Sequence, residues 1–435
     1  MSDKKIRWLP WMLIVICVAH LALLAVAVSD PEATLRFDRT GKRITSARLL
    51  LEAKGMAEVG PVLLTRGAPG DYLWHTLVLA STGQSLIAVQ LVQLLLAALS
   101  LVAVHGIALA LDGRREVALL ATVLYAAIPI DFILPHFLAS EAFFNPLLLF
   151  GVAALVRYAT RAPDLRTIAA AGVAFGLAAL TRPEALPWLI VMLAFAAALA
   201  MRVAREHVLL HTAVLGILTF AGVSIWLALT PSEPVALDRA SLTLEWELAN
   251  RANRVLSAAG GNTVGIEAAP LAAFCRSLVE HPLAFTREFV LQAGKLLALP
   301  DNLDTFRYLG FYEYTGRRAE WLHTLGVLGA ARRAFAEMPG LATWLVVTIV
   351  VWLAIGVIAL RGAAELLRRS EGVERTLSLL LLSLPVIWTL LRVLTQGESR
   401  KRSPVDFAIT IFAAIGWLRA RYTGPRPPRA HGGVA

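Results

Sequence analysis

Three adjacent cations, Arg400-Lys401-Arg402, stand between Glu398 and Pro404 in a short polar break between two apolar runs. Arginine forks bind phosphate oxygens in pairs and lysine adds a point charge, so this triplet suits a phosphate. Arg66, in Arg66-Gly67-Ala68-Pro69-Gly70-Asp71-Tyr72, is a further cation of that kind. Asp131 and Glu141 interrupt otherwise apolar sequence, and Arg182 with Glu184 flanks Pro183 in another tight break. Asp38 follows Phe37 a short way past the first apolar run. Carboxylates held near cations can take a proton, orient a polar substrate or form ion pairs. Asp131, His136 and Glu141 could also supply a carboxylate, an imidazole and a second carboxylate to a divalent metal. Their spacing matches no standard ligand motif, and Pro135 interrupts it. No metal is therefore assigned and no cofactor is named, with a divalent metal left open. Phosphate-binding glycine loops, the nucleophile elbow and the dinucleotide fingerprint do not occur.

The elements that must position these groups are membrane spans. Of 435 residues, 57% are hydrophobic and only 17% charged, against about 45–50% apolar and about 25% charged in soluble domains. A bilayer absorbs that apolar surface, each spanning helix needing about 20 apolar residues. Runs of this kind cover 8–28, 85–111, 117–134, 137–158, 167–181, 185–201, 208–229, 341–360, 377–394 and 405–418, which predicts ten spans. Basic Met1 to Arg7 before the first run, with no small-x-small cleavage site after it, reads as a retained signal anchor. The segments 29–84 and 230–340 are mixed in polarity. The first holds an amphipathic run at 44–54 that stops at Gly55, and the second an amphipathic stretch at 283–299 suited to a membrane interface.

The net charge of +10 is placed at span ends, which points to topology and headgroups and away from nucleic acid. With the N-terminus inside, the inner connections carry Arg114 and Arg115; Arg157, Arg161 and Arg166; Arg202 and Arg205; and Arg361, Arg368, Arg369 and Arg375. The positive-inside rule is then met everywhere except at Arg400-Lys401-Arg402, which falls outside and so calls for a functional reason. The same topology puts Asp38, Arg66, Asp71, His75, Asp131, His136, Glu141, Arg182, Glu184 and Glu398 on the outer face. Cys17 and Cys275 show neither pairing nor metal spacing. Three regions follow: 1–229, an N-terminal transmembrane module with its first outer loop at 29–84; 230–340, an outer loop region with an interfacial helix; and 341–435, C-terminal transmembrane helices with a cytoplasmic tail.

The order of these features resembles the GT-C superfamily of membrane glycosyltransferases. It is closest to the branch of protein O-mannosyltransferases, aminoarabinose transferases and bacterial RgtA/B/C/D-like enzymes. The residues that carry the resemblance are Phe37-Asp38, the run from Ala47 to Gly55, Arg66 to Tyr72, Ser140-Glu141, the glycines 172 and 176 before Thr181-Arg182-Pro183, and Glu398 to Pro404. The chain departs from the pattern where Lys401 stands for a tyrosine and where Asp71 and Tyr72 shift a glycine-tyrosine-proline. The resemblance implies an all-α polytopic membrane protein with amphipathic helices on its outer face. It implies transfer of a hexosyl or pentosyl unit from a polyprenyl-phosphate-linked donor to a hydroxyl of a lipid, glycan or protein acceptor, at the periplasmic or extracellular face of a bacterial inner (plasma) membrane.

Within that scheme Asp38 is the catalytic base, and Arg400, Lys401, Arg402 and Arg66 hold the donor phosphate. Asp131, Glu141, Arg182 and Glu398 orient the substrates, with Arg182 open as an alternative structural partner for either Glu141 or Asp131. Two other classes compete. A transporter or flippase for lipid-linked sugars would use such charges as a pathway, and a catalytically inactive GT-C-like scaffold would fit the departures. Inverted repeats and midplane charges, the marks of a transporter, are not evident.

Overall fold

The computed structural model describes residues 8–30, 40–53, 69–161, 163–182, 186–229, 255–256, 270–287, 289–290, 326–337, 339–395 and 403–419. Among these residues the regular structure is helical and there is no strand. This is the arrangement that lipid requires, because a helix satisfies its own backbone hydrogen bonds. The helices are α1 (Trp8–Ser29), α2 (Thr40–Glu52), α3 (Pro69–Ser81), α4 (Leu86–Asp112), α5 (Arg115–Ala126), α6 (Pro129–Ile133), α7 (Glu141–Thr160), α8 (Leu165–Thr181), α9 (Leu186–Val203) and α10 (Val208–Leu229). They continue with α11 (Pro270–Glu280), α12 (Gly326–Glu337), α13 (Pro339–Arg369), α14 (Gly372–Thr395) and α15 (Ser403–Arg419).

Each of the ten apolar runs falls on this helical framework. Among the described residues five helices, α1, α4, α7, α13 and α14, are long and apolar enough to cross a membrane, and α5 with the turn that follows it makes six if the pair is one broken span. The helices at 165–181, 189–203 and 404–418 are shorter apolar elements. The chain is an integral membrane protein; ten as the number of crossings is an expectation beyond this.

The third run does not form one straight helix. Pro129 has no N–H to donate, and Ile128 before it takes the extended conformation (φ −66, ψ 121). The helix therefore breaks after α5 and turns by 69°. Pro135 lies in a 3-10 turn, Leu134–His136, and Phe137 is extended before Glu141 opens α7. The fourth run thus becomes helical only at Glu141. The stretch 127–140 is a buried elbow joining two helices.

An elbow at this depth must satisfy its own polar backbone, and α4 does so. Gln90 Nε2 donates to the His136 carbonyl at 2.7 Å. With its amide turned to donate, Gln93 reaches the carbonyls of Phe137 at 2.9 Å and Pro135 at 3.1 Å. Residues 90 and 93 share one helical face, so a single stripe of α4 serves three consecutive carbonyls.

Close helix packing elsewhere depends on small residues. A side chain on Gly222 of α10 would run into the backbone of Gly176 on α8, and one on Gly362 of α13 into that of Phe412 on α15. Without a hydrophobic drive between helices in lipid, such backbone approach supplies much of the packing. α15 is nearly enclosed, with Val405, Phe407, Ala408, Ile411 and Phe412 all buried. On α13, by contrast, Val346, Val350, Leu353, Val357 and Leu360 are exposed, as a lipid-facing stripe should be.

Local signals set several helix ends. Ser85 caps α4 by accepting from Ala88 N, and Gly113 ends it in the left-handed conformation (φ 79). Asp164 caps α8, accepting from Thr167 N at 2.6 Å. The amphipathic run predicted at 44–54 lies largely in α2, whereas α3, α11 and α12 are further helices that carry no apolar run of spanning length. Of the stretch 283–299, residues 283–287 and 289–290 are helical and the rest lies outside the described residues.

Candidate functional site

Several of the sequence elements singled out for chemistry converge at one end of the helical bundle. Glu141 opens α7, and Arg182 immediately follows α8. Their side chains meet as an ion pair, Arg182 Nη1 to Glu141 Oε1, at 2.9 Å, with exposures of only 9% and 6%. Ser140 Oγ donates to the other Glu141 oxygen at 3.1 Å. The Arg182 guanidinium also lies 5.7 Å from the centre of the Phe144 ring, a distance at which a cation is attracted to the ring face. Glu141 thus has the structural partner that the sequence left open for it. The pair joins the start of one helix to the end of the next.

The glycine of Pro69-Gly70 completes this junction. Gly70 lies in the first turn of α3, against the end of α8. A Cβ there would stand 2.7 Å from the Leu180 carbonyl carbon and oxygen, and 2.8 Å from Thr181 N. Only a glycine lets the two backbones meet here. From α3, Trp74 stacks on Phe143 at 5.3 Å and buried His75 meets the same ring edge-on at 5.4 Å. Thr76 Oγ1 ties α3 back to Ala47 of α2 through a 3.4 Å hydrogen bond. Elements far apart in sequence, α2, α3, α7 and α8, are therefore locked around Glu141 and Arg182.

The helices that bracket the basic triplet reach the same end. Phe144 stacks with Trp388 of α14 at 6.1 Å. α14 ends at Thr395, and α15 opens at Ser403 on the other side of the triplet. In the first turn of α15, Asp406 is fully buried. Asp406 and half-buried Asp131 both lie close enough to the buried Tyr125 phenol to act on it electrostatically. The elbow, the end of α5 and the start of α15 are in this way drawn together.

Asp131, Glu141 and Arg182 are thus placed, while Asp38, Arg66, Glu184, Glu398, Arg400, Lys401 and Arg402 lie outside the described residues. Among the described residues, no group of three or more histidine, cysteine or carboxylate side chains is arranged to hold a metal, so Asp131, His136 and Glu141 do not form a ligand set. His136 faces a different partner, His20 of α1, with Nε2 2.8 Å from His20 Nδ1. His20, Gln90, Gln93, Tyr125 and Asp406 were not singled out from the sequence. The available signal was polar groups set within apolar runs, most plainly the two glutamines three residues apart.

Residues 68–226 match the family model of dolichyl-phosphate-mannose-protein mannosyltransferases. The GT-C resemblance is borne out over this segment, which contains Gly70, Asp131, Glu141 and Arg182. The match supports a membrane glycosyltransferase of the GT-C type. None of the curated proteins and none of the solved structures compared with the chain matches it.

Proposed function

We propose that this protein transfers a sugar from a polyprenyl-phosphate-linked donor to an acceptor hydroxyl on the extracytoplasmic side of a bacterial inner membrane. The observation that carries the reading is the convergence of Gly70, Glu141 and Arg182, with both helices that bracket Arg400-Lys401-Arg402, at one end of the bundle. Carboxylates at that end, with the basic triplet carried in the chain between those two helices, support displacement at a sugar carbon linked to a phosphate.

In this scheme Asp38 takes the proton from the acceptor hydroxyl as its oxygen attacks the anomeric carbon. The bond to the lipid phosphate breaks, and Arg400 and Arg402, with Lys401 and Arg66, stabilise the charge left on the phosphate oxygens. The ring gathers positive charge as the bond loosens. Asp131 and Glu398 orient the sugar or the acceptor. Glu141 and Arg182 hold the α7–α8 junction beneath them, and the apolar helix surfaces accept the prenyl chain. The acceptor is a lipid, a glycan or a protein, and the transferred unit a hexose or pentose.

The direct test is reconstitution of the full chain in lipid nanodiscs, supplied with polyprenyl-phosphate-linked hexoses and pentoses and an extract of envelope acceptors. Donor-dependent labelling of an acceptor, with release of polyprenyl phosphate, is the expected result. Movement of intact donor across a vesicle bilayer without cleavage would replace the proposal with a flippase, and binding without either outcome would leave a scaffold.

A further inference from the structure

Nothing in the scheme above uses His20, yet its contact is one of the more specific in the bundle. α1 is thinly packed: Leu9, Leu23 and Ala27 are its buried residues, while Trp11, Val15, Val18 and Leu21 are exposed. His20 shares a helical face with Leu23 and Ala27. From that face it meets the elbow, its Nδ1 lying 2.8 Å from His136 Nε2. The two rings are stacked with centres 5.1 Å apart, and Phe132 of α6 packs on His20 at 4.3 Å. The partner is itself held, because Gln90 of α4 fixes the His136 carbonyl at 2.7 Å and its ring is buried.

His20 precedes Ser29, the last residue of α1, by nine positions, which at 1.5 Å per residue is about 13 Å along the helix. Within an apolar helix and against the buried His136 ring there is little water to replace a lost hydrogen bond, so a ring N–H donating to a facing ring nitrogen is a strongly preferred geometry. The chain beyond α1 leads to Asp38, and the elbow carries Asp131 and runs on into Glu141. The histidine contact is thus a side-chain link between the helix that leads to the proposed base and the segment that carries the acidic groups.

We propose that His20 is a positioning residue, whose hydrogen bond to His136 fixes the elbow 127–140 at a set depth against α1 and so aligns the two halves of the transfer site. The role rests on the proposed sugar transfer, but the contact itself is separable from it. A single shared hydrogen bond makes the two histidines act as a unit. Loss of either ring should therefore have the same effect as loss of both. Misplacement of reacting groups by about 1 Å costs on the order of 10²-fold in rate, which sets the size of effect to look for.

The experiment compares the full chain in nanodiscs with His20→Phe, which keeps a ring and removes the hydrogen bond, and His20→Asn, whose amide can occupy the Nδ1 position. Hydrogen exchange across residues 127–140 reads the elbow directly, and transfer kinetics read its consequence. The expected result is faster elbow exchange in His20→Phe, with kcat lowered by roughly 10- to 100-fold and donor KM little changed. His20→Asn should restore both, and His20→Phe/His136→Phe should be no worse than either single variant. Unchanged elbow exchange in His20→Phe overturns the proposal, as does altered exchange with normal kcat in an active protein. If the unmodified chain transfers no sugar from any donor, the proposed function fails, and the exchange comparison alone decides whether His20 positions the elbow.

Discussion

Arg182 and Glu141, 41 positions apart in the chain, meet at 2.9 Å where α8 ends and α7 begins, and each is almost wholly enclosed. Two charges withdrawn from water are tolerated because each has the other, and because Ser140 and the Phe144 ring complete their surroundings. The energetics of such a pair are asymmetric. Taking away one partner leaves an uncompensated buried charge at a cost of about 3–5 kcal/mol, whereas replacing both by apolar residues of similar size is often near neutral. Arg182→Gln and Glu141→Gln should each lower the melting temperature strongly in detergent, and Glu141→Leu/Arg182→Met should recover much of the loss. Equal melting of all four proteins would show that the pair does not hold the junction.

Gly70 makes a second, sterically defined prediction. Alanine there would push its Cβ to 2.7 Å from the Leu180 carbonyl, part of the backbone and so unable to swing aside. Overpacking of this kind costs about 1–3 kcal/mol. Gly70→Ala should lower thermal stability by that order and reduce transfer. Gly340→Ala, at a position where a Cβ meets nothing within 4 Å, is the matched control and should be neutral in both assays.

Asp38→Asn keeps shape and removes the proton-accepting group. General-base loss typically costs about 10²–10⁴-fold in rate. The substitution should abolish most sugar transfer while leaving insertion, melting and donor binding as they were, and Asp30→Asn should be much milder. Near-normal turnover by Asp38→Asn, with a verified donor and acceptor, removes Asp38 from the mechanism.

For the phosphate site, Arg400→Gln/Arg402→Gln should weaken donor binding. Hydrogen bonds to charged groups contribute about 1.5–3 kcal/mol each, so the loss should be at least tenfold in Kd, as measured by titration with polyprenyl-phosphate donor in nanodiscs. Unchanged donor affinity in a correctly folded double variant excludes this role for the triplet.

A native cysteine tests the orientation. Cys275 is exposed on α11, in the segment expected outside, and Cys17 is exposed on the first span. In a Cys17→Ser background, a membrane-impermeant maleimide should label Cys275 in intact cells. Labelling of Cys275 only after the membrane is opened, with a cysteine at Arg115 labelled from outside, would invert the topology and put the candidate site on the cytoplasmic side.

The runs of apolar residues were sufficient to read the helical membrane class and, to within a residue or so, helices such as α1 and α4, whereas α13 runs on to Arg369, nine residues past the end of its apolar run. They were sufficient because lipid contact is decided residue by residue along a helix. The elbow was less legible. Pro129 and Pro135 mark a break, but composition alone made 117–134 one span and started the next at Phe137, since buried irregular backbone is as apolar in its side chains as a helix. The polar signal that allowed the elbow lay elsewhere in the chain, in Gln90 and Gln93, whose purpose is visible only when their carbonyl partners are in place.

The residue types for chemistry were likewise present in the sequence: Asp131, Glu141 and Arg182 stood out because ionisable groups in apolar runs are costly. Their roles did not follow from that cost. By itself the sequence determined that this is a helical membrane protein with a GT-C-like order of motifs, because hydropathy, charge and motif order are properties of the chain. Only the tertiary structure decided that Glu141 and Arg182 neutralise each other, that Gly70 is a contact point, and that His136 faces His20. Those are distances between residues on different helices, fixed by how the helices pack, and no spacing along one strand of sequence contains them.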